Sequence, residues 1–399
     1  MTAPSSHDPS QAGSGPARSW LPVLAVSVIV MILIGALAAA SAVPFRNDFA
    51  AYWPVGRLLL AGQNPYDAGA IESLQRSVGD MLGGDSIVRY PPWSLPLLLP
   101  FATLPYVPGW YLWILLQAVL VGVSSVWLWQ MLGGGGGARI PLVVAFGFPA
   151  GLFVALGGQI GGVLLFGVAL FLWAILRRRD FLAGFCLGLL TLKPHLFLPL
   201  AIVALLWAAR ERRWRVPAAA VLTILAGSGL ALAFRPAIFS DYLEFLVSPG
   251  TSWQRAVAVG TAASAVLGGR APWLQWAPAA LLSVLVVVLW TRFSSRFDWR
   301  QNLPLVLVLG LIAAPYLLVH DLVLLVPAFL TMALCVADWE SANSRRMAVL
   351  AFAAVCVFVW IGQVAEDTLV IHVSIVPLML IPAIAASVCV ARKSGVVGE

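Results

Sequence analysis

Long apolar runs, each closed by an arginine cluster or a short polar break, follow one another along this chain from Trp20 to Arg392. Three of them, LPVLAVSVIVMILIGALAAASAV (21–43), VPAAAVLTILAGSGLALAF (216–234) and MAVLAFAAVCVFVWIG (347–362), approach or exceed the roughly 20 apolar residues that carry a helix across a bilayer. Strict apolar–polar alternation of the barrel-strand kind is missing, so backbone groups in lipid must be satisfied inside helices. The pattern predicts an all-α integral membrane protein.

Lysines and arginines in short loops mark the cytoplasmic side. Here they form Arg177-Arg178-Arg179, the run from Arg210 to Arg215, the stretch from Arg292 to Arg300, Arg345-Arg346 and Arg392-Lys393. With Arg18 also inside, an even number of passes separates each neighbouring pair. Residues 181–209 are then a hairpin of two short helices broken at Lys193-Pro194-His195, and 303–337 a hairpin turning near Pro315 and His320-Asp321. Residues 216–291 go out at Phe234, run through an external segment, 235–270, and return. A last hairpin, 347–391, turns at Glu366-Asp367. The run 93–105 reads as a half-buried, non-spanning helix leading into the next pass, which sets the Gly133 to Arg139 loop inside and Gly157-Gly158-Gln159 outside.

The sum is about twelve passes. They form one polytopic domain, 20–392, between cytoplasmic tails at 1–19, disordered by composition, and at 393–399. AAASAV resembles a signal cleavage site, but its apolar run outlasts a signal-peptide core of about 7 to 15 residues, and a retained helix is expected. In the first external loop, 44–92, residues 48–62 read as an amphipathic surface helix. Asn64-Pro65-Tyr66-Asp67 follows as a turn, and Ala68 to Met81 as a second helix.

Composition agrees and narrows the class. The chain is 61% hydrophobic and 10% charged with a mean hydropathy of +0.94, far from the balance of soluble domains. Its net charge of +7 is spread through loop clusters rather than gathered on one soluble face, which argues against nucleic acid as a partner. Cys186, Cys335, Cys356 and Cys389 lie in apolar tracts without metal-ligand spacing and read as small packing residues, not as a disulfide framework or zinc site.

The candidate chemistry sits where apolar runs break, on the external side throughout. Asp48, in Arg46-Asn47-Asp48 ahead of a run of aromatics, is a candidate base, or else only the cap of a helix from Phe49 to Leu60. Lys193, one of two lysines, lies mid-tract in LLTLKPHLFLPL. A charge there costs about 2.5 to 3.5 kcal/mol on insertion scales, so it implies a partner and a function, here a lipid phosphate, against the plainer reading of a snorkelling side chain. His320 and Asp321 are adjacent and do not share a helix face, so one points into a cavity while the other, Asp321, caps the following helix. The imidazole suits a hydrogen bond or proton donated to a phosphate. A metal site lacks further ligands, and no metal or other cofactor is expected. Gln159, between glycine pairs, can read sugar hydroxyls or serve helix packing. Arg89-Tyr90-Pro91-Pro92-Trp93 looks like a loop entering the membrane on an aromatic anchor.

The series DFAAYWPVGRLLLAGQNPYD, RYPPWSLPLLLPFATLP, GGQIGGVLLF, AGFCLGLLTLKPHLFLPL and PYLLVHDLVLL, in order from Asp48 to Leu325, resembles the membrane glycosyltransferase family 87 of the C-type (GT-C) superfamily. The resemblance implies a GT-C multi-helix bundle with juxtamembrane helices in the first external loop and an aspartate there, matched by Asp48, as catalytic base. It implies a polyprenyl-phosphate sugar as donor, mannose or arabinofuranose, and a lipid-linked glycan as acceptor, outside the cell membrane. By the same similarity Lys193, His195 and His320 lie near the donor phosphate; Arg89 is expected beside them, and Gln159, Tyr52, Tyr90 and Asp321 are expected to contact the sugar or acceptor. One base without a second carboxylate nucleophile favours inversion. A transporter or flippase remains the rival, because charged residues and broken helices mark those too; an acyltransferase or glycan polymerase on another lipid donor is a further one.

Overall fold

In the computed structural model, described over residues 48–79, 88–248, 258–266, 272–337 and parts of 349–359, every regular element is a helix. The expected first pass (21–43), both tails and the turn at Glu366-Asp367 lie outside the described residues. Two short helices come first, α1 (Phe49–Leu60) and α2 (Ala68–Ser77). The expected surface helix at 48–62 is instead buried along α1 from Phe49 to Gly56 and at Leu58 and Leu59, because its sequence is apolar on nearly every side and packs into the bundle. The Asp67 carboxylate caps α2 by accepting from Gly69 and Ala70 N–H at 2.9 and 3.1 Å. This helix stops at Ser77 rather than running on to Met81, because Gly79 takes a left-handed φ of +78° and its N–H turns back to Arg76.

The chain then enters the bundle through α3 (Pro92–Ala102), whose first seven residues, Pro92–Leu98, are 3-10 helix. It is a short apolar helix, in keeping with the non-spanning segment expected there. After it come α4 (Tyr106–Met131), α5 (Arg139–Gly147), α6 (Pro149–Gly157) and α7 (Gly161–Leu176). Next are α8 (Asp180–Leu190), α9 (Leu198–Arg210), α10 (Arg215–Phe234) and α11 (Ile238–Val247). The last are α12 (Val259–Val266), α13 (Ala277–Phe293), α14 (Trp299–Ala313) and α15 (Val326–Ala337), the last preceded by a 3-10 stretch, Val319–Leu325. The two segments expected as hairpins are each a pair of helices with a break between them, at 191–197 around Lys193 and at 314–318 just before His320-Asp321. The expected pass from Arg139 to Gly157 is instead bent by 76° at Phe148, since Pro149 excludes helical conformation from the residue before it.

Among the described residues four helices are long and apolar enough to cross a membrane, Tyr106–Met131, Arg215–Phe234, Trp273–Arg296 and Val319–Val336, or five if α5 and α6 make one span. They divide into two kinds. The first and last are mostly buried within the protein. The windows in α10 and around α13 are only 22% and 11% buried and expose Leu222, Leu225, Leu281 and Val284, the surface a lipid-facing helix presents. This is an all-α membrane protein.

The bundle has two chemically different ends. At one, Arg213 pairs with Asp180 and Arg210 donates to the Ser294 carbonyl, so the arginine-bearing loops after α7, α9 and α13 meet. At the other, the Trp93 indole N–H donates to Thr191 Oγ1 at 2.9 Å, fixing α3 to the end of α8. Between the two ends, α8 and α10 approach along Gly184 and Gly188, spaced as in small-xxx-small seams. A Cβ on Gly184 would stand 2.2 Å from the Val216 carbonyl oxygen. Gly184→Val is therefore expected to cost about 1 to 3 kcal/mol and to lower the unfolding midpoint in detergent. Gly229→Ala in α10, where a Cβ would meet nothing within 4 Å, should leave the midpoint in place. Cys186 and Cys356 are free, but Cys335 is disulfide-bonded, which corrects the reading of all four as packing residues; pairing follows spatial proximity, which sequence spacing does not report.

Candidate active site

Asp48 stands at the N-terminus of α1, at the end of the bundle opposite the arginines. Its N–H donates to the Gly157 carbonyl at 2.9 Å, while its side chain makes no capping bond to α1. The carbonyl it meets belongs to a tightly built corner. Gly158 ends α6 with φ +66°, and its own carbonyl accepts the Trp113 indole N–H at 2.5 Å. A side chain at Gly158 would be strained by the backbone and pressed on Trp113, which explains one glycine of the pair in LGGQ.

One turn along α1, the Tyr52 hydroxyl donates to Gln159 Oε1 at 3.2 Å and lies 3.1 Å from the Tyr90 hydroxyl, which is left to donate to it. Tyr52 also meets Trp113 edge-on, with ring centroids 5.5 Å apart. The Tyr66 hydroxyl donates to the Tyr90 carbonyl at 2.9 Å, and its ring packs on Tyr242 and Phe245 of α11. Burial pushes the Tyr66 phenol far above its ordinary value, so it stays a donor. Hydroxyls and rings thus connect α11 to α1 through Tyr66, Tyr90 and Tyr52.

Lys193 begins the 3-10 turn Pro194–Leu196, where α8 stops and α9 has not begun. Its ammonium is buried and pairs with Asp321 Oδ1 at 2.5 Å, which provides the partner that a charge at this depth requires. The same ammonium lies 3.3 Å from His320 Nε2. Facing an ammonium, that nitrogen accepts, and the ring proton belongs on Nδ1. His320 and Asp321 were expected to point apart. Both reach Lys193 instead, because they open a 3-10 helix rather than an α-helix and the lysine's flexible stem delivers the charge between them. Asp321 is also not the N-cap residue. From the third helical position its Oδ2 accepts the Leu318 N–H at 3.1 Å, so both of its oxygens are engaged by the protein.

The two clusters share one electrostatic neighbourhood. The Asp48 charge acts on Tyr52 and on Lys193, and Lys193 acts on Tyr90. Asp321 acts on His195 and Tyr316, and Arg89 acts on Tyr316. The His195 ring packs on Tyr316 with centroids 3.8 Å apart, and among the described residues its buried Nε2 has no hydrogen-bond partner. All the residues singled out in the sequence therefore gather at one end of the bundle.

Sequence reasoning missed Gln117, fully buried on α4 with neither amide atom hydrogen-bonded among the described residues, its Oε1 against Gly162. The rule that found Gln159, a polar residue inside an apolar run, would have found it as well. It also missed Trp113 and Tyr66, whose roles depend on partners distant in sequence.

The arrangement offers a carboxylate, a buried but paired cation and several hydroxyl and amide groups at the rim of a membrane bundle. That set can deprotonate a hydroxyl and stabilise a departing anion. A sequence model of glycosyltransferase family 87 matches residues 89–320, which include Arg89, Tyr90, Gln159, Lys193, His195 and His320. No curated protein and no solved structure matches the chain. With more than half of its length covered, the chain belongs to glycosyltransferase family 87.

Proposed function

We propose that this glycosyltransferase moves mannose from a polyprenyl-phosphate donor to a hydroxyl of a lipid-linked glycan acceptor at the outer face of the cell membrane. The observation that carries the reading is the gathering of Asp48 with the Lys193, His320 and Asp321 cluster at the end of the bundle away from the arginines. By the positive-inside rule the arginine end is cytoplasmic, which puts the site outside, where nucleotide sugars are absent and lipid-bound donors serve. The fold proposed is the GT-C bundle of about twelve passes, in one domain over 20–392.

In this mechanism the acceptor oxygen attacks the anomeric carbon as its proton passes to the Asp48 carboxylate. The bond from that carbon to the phosphate oxygen breaks, polyprenyl phosphate leaves, and the anomeric configuration inverts. Lys193, with His320, His195 and Arg89, stabilises the charge developing on the phosphate. Asp321 holds the lysine in position. Tyr52, Tyr90 and Gln159 contact the sugar or acceptor.

The test is transfer of radiolabelled mannose from synthetic polyprenyl-phosphate mannose to endogenous lipid in membranes carrying the protein, with the polyprenyl-phosphate arabinose donor run beside it. Labelled lipid from the mannose donor is the expected outcome; label from neither would sink the reading. Transfer should persist in excess EDTA, because among the described residues no group of three or more His, Cys, Asp or Glu side chains is placed to hold a metal ion.

A further inference from the structure

At the far end of α1 from Asp48 lies a cavity of about 380 Å³ lined by Arg57, Leu58, Leu60, Ala61 and Gln63, with Leu74 of α2 closing its other side. Its walls are apolar on both helices, and among the described residues its polar side chains are a guanidinium and an amide and none is acidic. Arg57 is held in place. Its Nη1 donates to the Ala102 carbonyl at 3.2 Å, and its guanidinium lies over the Trp53 ring, 5.2 Å from the centroid. Those contacts use one of its five N–H donors, and among the described residues no other hydrogen bond engages the rest. A cation fixed in orientation with spare donors beside an apolar wall suits an anion that carries hydrocarbon.

The surroundings identify the source of that anion. The loop leaving the cavity passes Gly62, whose carbonyl accepts from Arg235 at 3.2 Å and whose Cα faces the Phe234 carbonyl. Phe234 ends α10, the helix that exposes Leu230 and Leu232 just before it. The cavity therefore adjoins the point where a lipid-facing helix leaves the bilayer, at headgroup level.

We infer that this groove seats the anionic headgroup of a membrane phospholipid, with the phosphate on Arg57, an N–H of Gln63 as second donor, and the first part of a chain against Leu60 and Leu74. The site is separate from the reaction proposed above and does not depend on it. A bound lipid would brace the helix that carries Asp48 at its other end.

The experiment uses the full chain in phosphatidylcholine nanodiscs, titrated with phosphatidylglycerol and read by the thermal unfolding midpoint. Wild type should be raised saturably by phosphatidylglycerol, and neither by added phosphatidylcholine nor by free glycerol phosphate. Arg57→Gln should raise the half-saturating concentration about fivefold, the change for one basic side chain at an anionic surface. Leu74→Asp, which leaves the Arg57 contacts in place but puts a like charge beside the phosphate, should do the same, and Arg57→Lys should lie between them and wild type. Equal titrations for wild type, Arg57→Gln and Leu74→Asp would overturn the inference. So would an equal response to glycerol phosphate, which would make the groove a site for free phosphate esters.

Discussion

Asp48→Asn is expected to lower sugar transfer by at least about 10² to 10⁴, the usual contribution of a positioned general base, with the unfolding midpoint close to that of wild type. The separation of the two readouts follows from how the residue is held. Its location is fixed by a backbone bond, N–H to the Gly157 carbonyl, which the substitution keeps. Its carboxylate supplies no cap to α1, so the usual stability loss on removing an N-cap side chain does not arise. Asparagine matches aspartate in size but lacks the charge that takes up a proton. Product formation and thermal unfolding measured on one membrane preparation decide the matter. Transfer retained above a tenth of wild type would remove Asp48 from the role of base, and a collapse of both readouts together would make it a structural residue.

The second large effect concerns the buried pair. Asp321→Asn takes from the Lys193 ammonium the carboxylate it is paired with, and breaking a buried ion pair in this way costs about 3 to 5 kcal/mol. Lys193→Met strands the carboxylate at a similar cost. The double variant, Lys193→Met with Asp321→Asn, removes both charges while the asparagine oxygen can still accept the Leu318 N–H. It should recover most of the lost stability, giving a strongly non-additive cycle. Transfer should be absent from all three variants. Activity in the stable double variant would show that the pair serves folding alone.

Much of this was legible in the sequence because lipid makes polar residues expensive. A helix begins directly after Asp48, one ends just before Lys193, and a new one opens at His320-Asp321, while α1 covers Phe49–Leu60 as the local pattern predicts. Partners were not legible. Nothing in LLTLKPHLFLPL or APYLLVHDLVLL says that Lys193 and Asp321 meet, since their pairing is set by how two hairpins pack. The 3-10 winding at Val319–Leu325, which lets adjacent residues converge on one cation, has no periodic signature in so short a stretch. The α8–α10 seam was hidden for a different reason: glycines in apolar tracts look alike until the helix that approaches them is known. Span number resisted counting because α7, α8, α9 and α14 are each shorter than a full crossing.

The ion pair also bears on how the molecule is made. Lys193 and Asp321 are 128 positions apart, on hairpins that leave the ribosome at different times. At ordinary elongation rates the lysine is synthesised on the order of ten seconds before its carboxylate. During that interval the first hairpin carries an unmatched charge, which keeps its tip near water or in the care of the insertion machinery. Only the arrival of the second hairpin lets the ammonium settle inside the bundle. Completion of the candidate site and final seating of these two hairpins are thereby coupled, and a polypeptide that stalls in between has neither.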